Sequence, residues 1–485
     1  MTTHSELAPA TERGLFIDGT WRPSSDGRYE EVVNPATRQV FGRAALASPA
    51  DLDDAVAAAR RAFDSGPWPR MTLAERASAM IRLAAELERD IEPLTQVALA
   101  ETGLAVAMCR DGAQGIPQFL RYAAGLAGTV ALTEERTAAS GAKVLVEKVP
   151  VGVVAAFIPW NAPLKLAAFK VPSALLAGCT LVLKPSPESP LSLHYLADAA
   201  VRAGLPEGVI NIIAADTEVS QALVKHPGVD KISFTGSTAV GRSIAASAAD
   251  SLKRVTLELG GKSAALVLDD APVDLVAGSM AFVLPLNNGA ICAMPSRLVV
   301  SERRKDEIVG ALATALEKTV VGDPADPATQ LGPMINEQHF NRVMGFIDSA
   351  RAEGGTIVTG GGRPEGMEDG LYISPTVITD VSPDSTAAQE EIFGPVLTVL
   401  TYRDEDEAVE IANNSRYGLA GAVYSGDRDR ALEFARRIRT GTVAVNSPIG
   451  TDPAIPCGGF KASGYGRELG PEGIDDFVET RSVFL

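Results

Sequence analysis

The chain has 485 residues, too many for one ordinary core, so two or three domains of the usual ~100–200 residues are expected. Hydrophobic residues at 46% and charged residues at 22% exclude a disordered chain. A formal net charge of -17 excludes the concentrated Lys and Arg that nucleic acid or an anionic membrane surface requires.

Taken in order, the opening MTTHSELAPATERG has no basic segment followed by an apolar run, so no secretory leader is expected. FIDGTW and EEVVNPAT read as short strands separated by turn residues. DLDDAVAAARRAF and LAERASAMIRLAAELERDIEPLTQVALAETG then carry apolar residues at helical spacing. From Lys143 the run VLVEKVPVGVVAAFIPW is strand-like, and alternating units follow: KLAAFKVPSALLAG as helix, TLVLKPSP as strand, SLHYLADAAVRAG as helix, and VINII as strand. TEVSQALVKHP, KISFTGS, AVGRSIAASAAD and VTLELGG continue the alternation, which predicts a parallel sheet covered by helices. A second α/β series runs from Gly260 to about residue 445. Within it, Leu275 to Ser296 is uncharged, but Pro285, Asn287, Asn288 and Gly289 make it a buried core segment rather than a membrane span. The tail ends in a strand-like run without its own core, so it is expected to pair elsewhere in an assembly.

Four cysteines, Cys109, Cys179, Cys292 and Cys457, form no CxxC pair; neither a zinc site nor a disulfide framework is suggested, and a reducing, cytoplasmic compartment fits. Cys292 stands in the neutral run NNGAICAMPSR, where a thiol is more often inert core than nucleophile unless partners support it. Glu258, in LELGGKS, ends a strand and is followed by two glycines, where open α/β sheets present functional groups; it is either a proton acceptor or a solvated strand-end carboxylate. FTGSTAVGR follows a strand and opens a helix, which suits a pyrophosphate or a generic turn, and it is not GxGxxG.

The ordered series IPWNAP (158–163), LKPSP (183–187), FTGST (234–238), LELGGKS (257–263), the cysteine segment (287–297), EEIFGPV (390–396) and GGFKASGYGRE (458–468) resembles the aldehyde dehydrogenase superfamily over nearly the whole chain. The resemblance implies an α/β fold in three parts. These are an atypical Rossmann dinucleotide-binding domain (1–124 and 149–259), a catalytic domain (260–445), and an oligomerisation arm with the C-terminal segment (125–148 and 446–485). It implies that Cys292 attacks the aldehyde, that its backbone N–H and Asn161 stabilise the oxyanion, and that Glu258 activates the hydrolytic water, with Lys170 and Glu479 as proton-relay members. Relatives that pass the acyl group to coenzyme A lack the equivalent glutamate, so a free acid is the expected product. No metal is required.

The same resemblance implies NAD, with NADP possible. Ile158, Pro159, Trp160, Asn161 and Leu259 would line the nicotinamide side, Lys184 and Ser186 the adenosine ribose, Gly236 and Ser237 the phosphates, and Glu391 and Phe393 the nicotinamide ribose. Many NAD-preferring relatives carry a glutamate three residues after the lysine; here Pro187 stands there and Glu188 comes one step later. The segment NIIAADTEVSQALV (211–224) departs from relatives with glycine under the adenine, and Ala290, Met294 and Pro295 depart around the cysteine. Ala162 and Cys457 replace common aromatics beside Phe169, Ile291 and Ala293, which predicts a roomy apolar pocket for a bulky terpenoid or aromatic aldehyde. The alternatives are a semialdehyde dehydrogenase of amino-acid or sugar-acid catabolism, or a catalytically silent structural homologue. The expected partners are a small aldehyde and further copies of the chain, as dimer or tetramer.

Overall fold

A computed structural model describes residues 12–448 and 450–485. Residues 1–11, most of the segment read for a leader, lie outside that description. The first sheet has eight strands in the spatial order Gly464–Tyr465, Arg254–Glu258, Lys231–Thr235, Val153–Ile158, Thr180–Pro185, Ile210–Ile212, Leu15–Ile17 and Thr20–Arg22. Its five strands from Arg254–Glu258 to Ile210–Ile212 are mutually parallel, and their nearly continuous apolar runs are buried on both faces. From Val153–Ile158 the chain steps one way to Ile210–Ile212, then crosses back to place Lys231–Thr235 on the other side. The reversal opens a crevice beyond the carboxyl ends of these two neighbours, where sheets of this kind receive ligands. Among the covering helices, Pro49–Asp64 starts where the acidic residues of DLDDAV predict, with Ser48 and Asp51 closing a reciprocal capping box.

A second sheet of seven strands runs Thr356–Thr359, Thr376–Thr379, Val396–Tyr402, Pro295–Ser301, Ser263–Val267, Ala420–Tyr424 and Thr442–Val445, with only the first antiparallel to its neighbour. The buried Arg297 guanidinium donates to the carbonyls of Lys262 (2.9 Å), Ile411 (2.9 Å), Asn414 (3.1 Å) and Ala412 (2.8 Å). It thereby ties the strand that follows Cys292 to the loop that follows Glu258.

A third, small sheet joins Thr133–Thr137 and Lys143–Pro150 to the C-terminal strand Val478–Phe484, paired from Val478 with Pro150 to Phe484 with Val144. The tail therefore finds its partner in its own chain. Within the C-terminal segment, Gly464–Tyr465 pairs with Arg254–Glu258 of the first sheet. The uncharged run at 275–296 is not uniformly core: helix Val273–Val283 leaves Phe282 57% exposed, and Asn287 and Asn288 adopt left-handed conformations with φ of 47° and 56°. No helix among the described residues is long and apolar enough to cross a membrane.

Replacing Arg297 by Met would remove the guanidinium donor that four carbonyls share, of which those of Ile411 and Asn414 keep a second donor in the Asn414 N–H (3.2 Å) and Gln389 Nε2 (3.0 Å). Arg297→Met is expected to cost at least about 3 kcal/mol in denaturant unfolding; a loss under about 1 kcal/mol would show that the clamp contributes little.

Candidate active site

Cys292 is delivered just ahead of the strand Pro295–Ser301, facing the carboxyl end of the first sheet. Three asparagines hold its loop. Asn161 Nδ2 donates to the Ala290 carbonyl (2.8 Å), and Asn287 Nδ2 donates back to the Asn161 carbonyl (3.3 Å). Asn288 donates to the Gly103 and Pro333 carbonyls (3.1 and 2.8 Å) and accepts from the Gly332 N–H (2.7 Å). Gly260 and Gly261 let the Glu258 loop approach: a Cβ on Gly261 would overlap the Cys292 carbonyl oxygen, and one on Gly260 the Glu391 carboxylate. Glu391 in turn accepts the Gly261 N–H at 2.9 Å. Burial, with the Glu391 and Glu258 charges adding to it, pushes the Cys292 thiol up to about 12.

Glu258 ends its strand in register with Thr235 and is buried, with Oε1 lacking a hydrogen-bond partner. Its carboxyl titrates well above the ordinary range, first because of burial and then because Glu468 is near, while Lys170 and Arg467 oppose the shift. Lys170, fully buried, pairs with Glu468 at 2.5 Å and donates to Ser233 Oγ at 3.2 Å. The expectation for Glu479 is corrected here. Its carboxylate binds Arg254 in two bonds of 2.5 Å and is 40% exposed, because its strand turns away to pair with Lys143–Pro150. The buried anion beside Lys170 is Glu468, which ends the quoted GGFKASGYGRE run and was missed.

Two cavities meet at the cysteine. One, about 340 Å³, is a tunnel whose walls include Ala162, Phe169, Ile291, Ala293 and Cys457. Leu104, Met108, Cys109, Leu164, Phe282 and Ile455 widen its apolar surface, drawn from segments whose linear sequence offered no signal. The other, about 410 Å³, is a cleft lined by Pro159, Trp160, Gly236, Ser237, Leu259, Glu391 and Phe393, together with Glu188 and the unforeseen His339 and Arg342. Asn161, Thr235, Glu258 and Cys292 line both. Ile158, Lys184 and Ser186 are not among the residues that line the cleft.

The cleft suits a dinucleotide. Ser237 caps the helix Thr238–Ala249, accepting from the Val240 N–H at 3.3 Å, and with Gly236 it presents that helix's amino end. A Cβ on Gly236 would press into the Phe234 ring. Trp160 and Phe393 meet edge to face at 5.6 Å with His339 against both, its Nε2 buried and unpartnered and its titration lowered to about 4 by burial. Among the described residues no group of three or more His, Cys, Asp or Glu could hold a metal ion.

The model of the Aldehyde dehydrogenase family matches residues 21–483. The chain belongs to the aldehyde dehydrogenase family. It is thus an oxidoreductase of that family, whose members use a nicotinamide dinucleotide. It is 43% identical over 472 residues to geranial dehydrogenase of Castellaniella defragrans, covering 97% of this chain and 98% of that protein. A Mycobacterium tuberculosis aldehyde dehydrogenase complexed with NAD+ superposes with a TM-score of 0.96 at 44% identity, over 98% of this chain and 99% of the other. An NAD-dependent aldehyde dehydrogenase from Sinorhizobium meliloti gives 0.97 at 37% identity, over 100% and 97%.

The high titration of Glu258 has a consequence for the stability of this aldehyde dehydrogenase. Below the ordinary carboxyl value of 4.5, folded and unfolded chains both hold the proton; as pH rises, the unfolded chain ionises while the buried carboxyl does not, so stability is lost. Glu258→Gln should raise Tm at pH 8 by on the order of 2 °C and leave it unchanged near pH 4.5. Equal shifts at both pH values in thermal scans would contradict this.

Proposed function

We propose that this enzyme oxidises a bulky, apolar aldehyde to the free carboxylic acid through a thioester on Cys292. The observation that carries the reading is the meeting of tunnel and cleft at Cys292, with Asn161 and Glu258 in both walls. In this reading the Cys292 thiol gives up its proton to solvent as its sulfur bonds to the carbonyl carbon, the carbonyl π pair moves onto oxygen, and the Cys292 N–H and the Asn161 amide hold that oxyanion. A nicotinamide dinucleotide in the cleft supplies the hydride acceptor. Glu258 takes a proton from the water that hydrolyses the thioester; Lys170 and Glu468, paired behind it, carry that proton inward.

The tunnel supports an apolar substrate. Among the described residues no arginine lines it, and Lys165, a cation in its wall, is paired with Asp111 at 3.2 Å, so a second substrate carboxylate meets no free guanidinium among them. Phe282 and Ile455, each 57% exposed, line it as well. The relative from Castellaniella defragrans is named for geranial, an aldehyde of that kind. In this reading 1–124 with 149–259 bind the dinucleotide, 260–445 form the catalytic domain, and 125–148 with 446–485 form the oligomerisation arm and C-terminal segment. Assembly would use the small third sheet, whose last strand leaves Phe484 72% and the following Leu485 69% exposed; a cytoplasmic setting accords with four unpaired thiols.

The test is reduced-cofactor absorbance over a panel of terpenoid, aromatic and short aliphatic aldehydes and succinate semialdehyde. Cys292→Ala should abolish turnover with all of them. Glu258→Gln should keep a pre-steady-state burst while steady turnover falls by about 10²–10⁴. Cys457→Phe should lower kcat/KM for terpenoid aldehydes by about tenfold or more and spare short ones. Succinate semialdehyde as the best substrate would overturn the substrate assignment, and an active Cys292→Ala enzyme would overturn the mechanism.

A further inference from the structure

A third cavity, about 10 Å³, lies at the loop that follows Glu258, and its walls include Lys262, Ser263, Arg297, Arg439 and Lys461. It has room for one small body. Lys262 and Ser263 are buried, and neither the Lys262 Nζ nor the Ser263 Oγ has a hydrogen-bond partner among the described residues. An ammonium group in a protein interior without an acceptor is costly, and the usual remedy is a counter-charge beside it. The wall supplies none: four of its residues are cations, and among the described residues no Asp or Glu lines it. Arg439 is exposed and makes no ion pair with a described residue, so the solvent side of the cavity carries an unclaimed guanidinium.

A water molecule would not resolve this arrangement. It brings two hydrogens that need acceptors, whereas the carbonyls of Lys262, Ala412 and Asn413 in the same wall already accept from Arg297 and Lys461 (2.9, 2.8 and 3.1 Å). An anion accepts from the ammonium and brings no hydrogen. Burial first, and the Arg297 charge after it, lower the Lys262 amine to about 7 against the pull of Glu391 and Glu390, and an anion in the cavity holds that amine as ammonium. Lys262 lines neither the tunnel nor the cleft. It follows Gly261 directly, and its carbonyl is the one that the Arg297 Nε clamps, so whatever binds its side chain also braces the loop after Glu258.

We propose that this cavity binds one small monovalent anion, chloride in ordinary saline, on the Lys262 ammonium with the Arg439 guanidinium at its solvent side. Bromide is the probe. Crystals grown in sodium bromide should give an anomalous-scattering peak within hydrogen-bonding reach of the Lys262 Nζ in wild type and none in Lys262→Met. At constant ionic strength, exchange of gluconate for chloride should raise the wild-type Tm by about 1–2 °C. Lys262→Met should lose that rise, and Arg439→Gln, a change at an exposed position, should reduce it. A peak without any chloride effect on Tm marks an adventitious ion only and overturns the proposal. So does a peak that persists in Lys262→Met, a chloride effect equal in all three proteins, or ordered water alone in the cavity.

Discussion

The site depends on how closely two loops can approach. The loop after Glu258 belongs to the end of the first sheet, and the loop before Pro295 to the start of a strand in the second. They come together only because Gly260 and Gly261 have no Cβ to strike the Glu391 carboxylate and the Cys292 carbonyl. Were either a larger residue, the carboxyl and the thiol would be held apart, and tunnel and cleft would no longer open onto the same sulfur. The Gly261 N–H and the Arg297 clamp on the Lys262 carbonyl then fix the approach from both sides.

Much of this was legible because it is local. A strand end followed by glycines, a strand running into a helix amino end, and the order of the quoted motifs are properties of short segments, and they located Glu258, Gly236, Ser237 and Cys292. What is decided by distant parts of the chain was not legible. Glu479 and Glu468 are both acidic residues near the C terminus, but only the backbone's path shows that one runs out along the third sheet while the other turns in beneath Lys170. Leu104, Met108 and Ile455 come to line the same tunnel as Cys292 only after a loop and helix of the first third of the chain have packed against a turn near its end. The uncharged run before Cys292 reads as core from its composition, but its helix Val273–Val283 leaves Phe282 57% exposed, and two left-handed asparagines bend the chain after it.

Buried charge is distributed unevenly across the centre. Glu468 pairs with Lys170 through one oxygen and keeps the other without a hydrogen-bond partner, as Glu258 does with Oε1, while Glu258, with no ion pair of its own, resists ionisation. Desolvation of this kind is costly in a resting protein and useful in a base, because the group is free to take a hydrogen bond that no other side chain has claimed.

Three of the four cysteines, Cys109, Cys292 and Cys457, share one tunnel. Conjugated aldehydes are alkylating agents towards thiolates, so such a passage would be a liability if its walls were reactive. Burial holds Cys109 up at about 12 and Cys457 well above its usual value, which keeps both as thiols at neutral pH. Burial holds Cys292 at about 12 as well, so low polarity keeps all three sulfurs protonated at rest, and what sets Cys292 apart is that of the three it alone also lines the cleft, with Asn161 and Glu258.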